Sequence, residues 1–91
     1  MDKANTVVLV GSKSVTKYVM YIVNRLDDKS EITIKARGKP IYKVVDIVCI
    51  LKSRYYSKLV CKDIRIDTVE VEDRETKKKR SVTTIEVDII K

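Results

Sequence analysis

The stretch Glu31-Ile-Thr-Ile-Lys-Ala-Arg-Gly-Lys-Pro-Ile-Tyr-Lys43 decides how this chain folds. Its first six residues alternate polar and apolar and carry β-branched side chains, the pattern of a strand with one face on a core. Arg37-Gly38-Lys39 breaks the alternation. Pro40 then suits the first turn of a helix, where its missing N–H costs nothing. The spacing predicts a helix from about Ile41 to Arg54. A strand therefore passes into a helix through a segment holding Lys35, Arg37, Lys39 and Lys43 and no acid.

Upstream, Asn5-Thr-Val-Val-Leu-Val10 is a short β-rich run that stops at Gly11. Val15, Tyr18, Val19, Ile22, Val23 and Leu26 follow at 3.6-residue spacing, with Thr16, Lys17, Asn24 and Arg25 opposite. That spacing predicts an amphipathic helix capped by Ser12 or Ser14, with a turn at Asp27-Asp-Lys-Ser30. Downstream, Leu59 to Glu72 and Ser81 to Ile90 read as two long strands. The first changes the phase of its alternation near Asp67-Thr68, which points to a bulge or a strong twist. Between them, Asp73-Arg-Glu-Thr-Lys-Lys-Lys-Arg80 holds no apolar residue and forms the tip of a hairpin. The expected fold is α+β, a β-α-β-α-β-β two-layer sandwich. It forms one domain over residues 1–91, with a hairpin arm at about 59–90.

The second helix is unusually apolar. Ile41, Val44, Val45, Ile47, Val48, Cys49, Ile50 and Leu51 wrap well over half its circumference. Such a helix is either the central core element or one that offers a second apolar face to another subunit. On the second reading, Val44, Ile47, Val48 and Leu51 are the candidate dimer contacts.

The 20 Lys and Arg against 13 Asp and Glu leave a formal charge of +7, which speaks about partners and not about fold. Polyanions are the expected ones. Three basic elements carry the expectation: Lys13 with Lys17 at the start of the first helix, Arg37, Lys39 and Lys43 around the central loop, and Lys77, Lys78, Lys79 and Arg80 at the hairpin tip. In a fold with adjacent parallel strands, the first two elements open at the same sheet edge, so loops distant in sequence form one patch. Helix N-termini there complement phosphate.

Catalysis has little to stand on. The chain has no histidine, and Gly11-Ser12-Lys13 lacks the spacing of a phosphate-binding Gly-rich loop. Most acids fall on the hairpin strands, without the clustering that metal-dependent chemistry needs. Cys49 and Cys61 are too few for a four-ligand zinc site and are expected as structural thiols. No enzyme, cofactor or metal is expected. No run approaches the roughly 18 apolar residues of a membrane span, and no signal-peptide order is present, so the expected location is intracellular and no membrane partner is expected.

Val7-Val-Leu-Val-Gly11 with Lys13, then Tyr18-Val19, Glu31 through Lys39 into Ile41, Asp46 with Arg54, and Ser81-Val-Thr-Thr-Ile-Glu86 resemble the Alba family of small archaeal DNA- and RNA-binding chromatin proteins. The resemblance covers essentially the whole chain, and Ile-Lys-Ala-Arg-Gly is its most specific part. It implies a dimer built on the second helix and the neighbouring strand, either a homodimer or a heterodimer with a paralogue. It implies contacts with double-stranded DNA and RNA from Lys13, Arg37 and Lys39, hairpins lying along the minor groove, and a dimer–dimer contact at Tyr55. It also implies work at the chromosome in the cytoplasm, as a coat that condenses DNA or as an RNA chaperone or ribonucleoprotein subunit. Ser12 departs from the family pattern, because it stands where many members carry a first lysine.

Overall fold

The computed structural model describes residues 6–26 and 31–91, so the turn expected at 27–30 lies outside the described residues. Six elements follow in the expected order: β1 (Thr6–Leu9), α1 (Val15–Arg25), β2 (Glu31–Arg37), α2 (Ile41–Ile50), β3 (Val60–Glu72) and β4 (Lys79–Ile90). The strands form one sheet in the order β1-β2-β4-β3, with β1 parallel to β2 and the other neighbours antiparallel. β3 therefore also runs parallel to β2. Both crossovers advance in the same direction, and the right-handed rule sets α1 and α2 on one face.

Local chemistry explains the boundaries. Ser14 stands at the N-cap of α1 with an extended backbone, as expected, but its hydroxyl makes no capping bond. Gly38 takes φ of 73°, a left-handed conformation that glycine adopts at little cost, and so turns β2 into the loop before Pro40. Beyond Ile50, a π-helical turn spans Leu51–Tyr55 and closes with Tyr56 N–H donating to Leu51 O at 2.7 Å. The wider turn separates the paired tyrosines. Tyr56 turns inward and donates its hydroxyl to Val23 O at 3.4 Å, while Tyr55 stays exposed.

The core lies between the sheet and the two helices. Val8, Ile32, Ile34, Ala36, Val87 and Ile89 come from the sheet, Val19 and Ile22 from α1, and Val44, Ile47 and Leu51 from α2 and its last turn. Within the single chain, three of the four candidate dimer contacts serve the core. Val44, Ile47 and Leu51 are at most 1% exposed and fill the chain's own core, while Val48 is half-buried against it. The surplus apolar surface of α2 belongs to Tyr42, Val45 and Cys49 instead. Ile64 and Ile66 extend that surface onto β3. They lie opposite Val87 and Ile85 in the register, on the helix side of the sheet, where α1 and α2 do not cover them.

The phase change near Asp67 is not a bulge. The register between β3 and β4 is unbroken from Asp63 to Glu72, and the irregularity sits at Lys62, between Cys61 and Asp63. What changes is the face that carries the apolar residues. Ile64 and Ile66 lie on the helix side, whereas Val69 and Val71 lie on the other. There Val82, opposite Val69, approaches Gly38, and Gly38 N–H donates to Thr83 O at 2.9 Å. The outer hairpin follows the central loop instead of the helices. It lengthens the molecule to 46 × 32 × 18 Å and raises the radius of gyration to 14.6 Å, against roughly 12 Å for a compact chain of this length.

Charge ties the open face of the sheet together. The Arg65 guanidinium donates to Asp63 at 2.7 Å, to Asp88 at 2.8 Å and to Glu86 at 2.9 Å. Thr33 Oγ1 donates to Asp88 Oδ1 at 2.7 Å from β2. The Arg65 bonds first, and then Thr33, hold the Asp88 carboxyl down at about 2 against an ordinary 3.8. A depressed carboxyl contributes stability that is complete above its unfolded value and lost as pH falls through its folded value. That contribution is at most about 2 kcal/mol, less with solvent screening of the pair. Thermal melts at pH 6 and pH 2 should therefore show a smaller acid loss in Asp88→Asn than in the parent chain. Equal losses would remove Asp88 as a source of acid sensitivity.

Candidate nucleic-acid interface

The two β→α junctions open at one edge, as the parallel pairing of β1 and β2 requires. Lys13 and Lys17 line one groove beside β1, with Tyr18 and Tyr21 on its helix wall. Arg37 and Lys39 line a second groove together with Arg80 and Val71 from the hairpin. Between them, a broader concavity runs across Gly11, Lys35, Arg37 and Pro40. Residues 24 or more positions apart in sequence thus share one rim.

Two groups of cations separate here. Lys35 pairs with Glu86 at 3.3 Å, Lys62 with Glu31 at 3.1 Å, and Arg65 with three acids. Among the described residues, Lys13, Lys17, Arg37, Lys39 and Lys77 to Arg80 form no salt bridge. Asp63, Glu86 and Asp88 of β3 and β4 are thus held by cations of the sheet and not by those of the rim.

Lys43 belongs to neither group. Its ammonium donates to Gly11 O and to Lys13 O, both at 2.8 Å, and so is turned onto the first loop. The sequence reading placed Lys43 among the residues facing a polyanion, whereas its position on α2 brings it under the loop before α1. Tyr18 holds the same loop from α1: Gly11 N–H donates to its hydroxyl at 2.7 Å. The apolar stripe of α1 accounts for the ring of Tyr18, but not for its hydroxyl, and periodicity carries no signal for that bond.

The hairpin tip is built, not merely charged. Asp73 Oδ1 accepts from the backbone N–H groups of Glu75 and Thr76, and Asp73 N–H donates to Lys78 O at 2.9 Å. Those two backbone donors hold the Asp73 carboxyl below the usual carboxylate range. Lys77 takes φ of 58° in the turn, and Lys79 and Arg80 already lie in β4, opposite Glu72 and Val71. The four basic residues therefore divide, with Lys77 and Lys78 in the turn and Lys79 and Arg80 on the strand.

Tyr55 is 45% exposed at the end of the π-helical turn, with its hydroxyl 3.7 Å from Met20 Sδ. Its ring lies 6.4 Å from that of Tyr56. Met20, itself exposed, and Tyr55 make a small apolar surface. Arg65 is the residue of the sheet that sequence reasoning missed. The alternating charges Lys62-Asp63-Ile64-Arg65 opposite Glu86-Val87-Asp88 were its signal.

Among the described residues, no cluster of three or more metal-binding side chains occurs and no helix is long and apolar enough to cross a membrane. The Alba family model matches residues 6–68. The DNA/RNA-binding protein Alba of Nanoarchaeum equitans is 40% identical over 86 residues, covering 92% of this chain and 96% of that protein. The DNA/RNA-binding protein Alba 1 of Archaeoglobus fulgidus is 32% identical, covering 97% and 98%. The structure of Alba from Thermoplasma volcanium superposes with a TM-score of 0.83 at 29% identity, covering 94% of this chain and all of that one. An Alba structure from Trypanosoma brucei, at 24% identity and a TM-score of 0.73, shares the fold. Two full-length relatives above 30% identity and a family model over two thirds of the residues, on the sheet order and paired helices described above, place this chain in the Alba family.

Proposed function

We propose that this chain is an architectural protein that coats and condenses double-stranded DNA without reading its sequence, and that it binds RNA with the same surface. The observation that carries the proposal is the rim of unpaired cations: Lys13, Lys17, Arg37 and Lys39 at one sheet edge, with Arg80 in the same groove as the central loop. Point charges on exposed loops suit phosphates, which fix position and carry no sequence information. The arm from Lys77 to Arg80 then follows the backbone or a groove beyond the body. Relatives named as DNA/RNA-binding proteins support both polymers as partners. The RNA reading, a chaperone or ribonucleoprotein subunit, shares every contact and differs only in the polymer.

The working unit is a dimer, a homodimer or a heterodimer with a paralogue. Its seam is the exposed apolar surface of Tyr42, Val45, Cys49, Ile64 and Ile66, with Val48 beneath it. Tyr55, with Met20, is the contact between neighbouring dimers along the duplex. The cellular site of action is the chromosome in the cytoplasm. Titration of equal lengths of duplex DNA, duplex RNA and single strands, each at two salt concentrations, tests the reading. Salt-dependent binding to duplexes of unrelated sequence is the expected result. Binding to none of these polymers would overturn the proposal and leave a protein-interaction adaptor with incidental charge.

A further inference from the structure

We infer that Lys43 is a positioning residue, which sets the Gly11–Lys13 loop for its polyanion without touching the polyanion itself. The inference rests on the nucleic-acid reading above and assigns one lysine of that surface a different task. The Lys43 ammonium has three donors, and two of them are spent on Gly11 O and Lys13 O at 2.8 Å each. Lys43 lies in the first turn of α2 and the loop precedes α1, 30 or more positions earlier, so this side chain ties the two β→α junctions to each other.

The loop has few other restraints. Ser12, Lys13 and Ser14 are exposed, and the N-cap serine makes no side-chain bond. What holds it is a clamp of two parts. The Tyr18 hydroxyl accepts from Gly11 N–H on one side, and Lys43 donates to the carbonyls on the other. Because a trans peptide sets its N–H opposite its C=O, these bonds also turn the Ser12 and Ser14 N–H groups away from Lys43. Lys13 is thereby presented from a fixed backbone. A neutral side chain at position 43 would release both carbonyls to water, and Lys13 would keep its charge but lose its placement.

A double-mutant cycle separates placement from direct contact, because residues acting through one contact do not add. At about 0.1 M salt, losing one phosphate contact on duplex DNA lowers affinity by roughly eightfold relative to about 1 M. Lys13→Ala should show about that loss for each protomer on the duplex, the unit in which the losses below are also given. Lys43→Met should show a similar one, and the double variant should lose no more than about twofold beyond either single change. Hydrogen exchange of the Gly11 amide in the protein alone gives a readout independent of nucleic acid. It should quicken in Lys43→Met, stay near the parent rate in Lys13→Ala, and be restored by Lys43→Arg, which keeps cationic donors.

Losses that multiply to roughly 60-fold in the double variant would mean that Lys43 meets a phosphate itself, and the inference would fall. Unchanged Gly11 exchange in Lys43→Met would overturn it as well. Should Lys43→Met fail to fold, Lys43→Ala, which likewise has no donor, replaces it in the cycle and in the exchange measurement. If the parent chain bound no duplex, the proposed function would fail, while the exchange result would still decide whether Lys43 holds the loop.

Discussion

A triple variant, Lys13→Ala with Arg37→Ala and Lys39→Ala, is expected to keep its fold and lose most of its hold on duplex DNA. All three side chains are exposed, and among the described residues none forms a salt bridge, so removing them breaks no ion pair there. Each phosphate neutralised contributes about 0.9 to the slope of log affinity against log salt on B-DNA. Three contacts from a single protomer lower the slope by about 2.7, which is roughly 500-fold in affinity at 0.1 M salt relative to 1 M. The loss should be the same on unrelated sequences. A control variant that removes two paired cations, Lys35→Ala with Lys62→Ala, has the opposite expectation. Those lysines neutralise Glu86 and Glu31, so the slope should scarcely move. Slope losses in the ratio of the charges removed, three against two, would show that net charge, and not the rim, governs binding.

The contrast between those lysines marks how far a sequence can be read. The strand and loop from Glu31 to Lys39 were legible because alternation, Gly38 and Pro40 each constrain the backbone locally. The convergence of the Lys13 and Arg37 loops was legible too, since adjacent parallel strands allow only one arrangement of their C-terminal ends. Pairing across the sheet was not. Whether Lys35 or Arg37 meets an acid depends on the register of β2 against β4, which puts Glu86 opposite Lys35 and Thr84 opposite Arg37. A shift of one residue would exchange faces and partners. The tie that Lys43 makes was hidden for a similar reason. Its place on a helix was clear, but the loop it supports lies about 30 positions away and only the packing of α2 beside α1 brings them together.

The same limit applies to the second helix, and it leads to an expected result at the subunit seam. Counting apolar residues detected a surplus face but could not say which arc of the helix was the surplus. Lys43 turns toward the loop before α1, so the arc on the other side of the buried stripe, Val45, Val48 and Cys49, points away from α1 toward the uncovered part of β3. Val45 is 54% exposed in the single chain, while Ile47 is fully buried two residues later. Val45→Asp should therefore leave the fold of the protomer within about 0.5 kcal/mol, as other surface substitutions do. In the dimer it would bury an unpaired carboxylate on each side of the seam, at a cost of several kcal/mol. Sedimentation should show the parent chain as a dimer at micromolar concentration and Val45→Asp as a folded monomer. Ile47→Ala, by contrast, should cost about 2–5 kcal/mol in the core and leave the dimer seam intact in whatever fraction folds. A parent chain that sediments as a monomer would remove the dimer. A Val45→Asp chain that remains dimeric would move the seam elsewhere. If dimers dissociate instead in Ile47→Ala while its protomer stays stable, the core and the seam have been assigned the wrong way round.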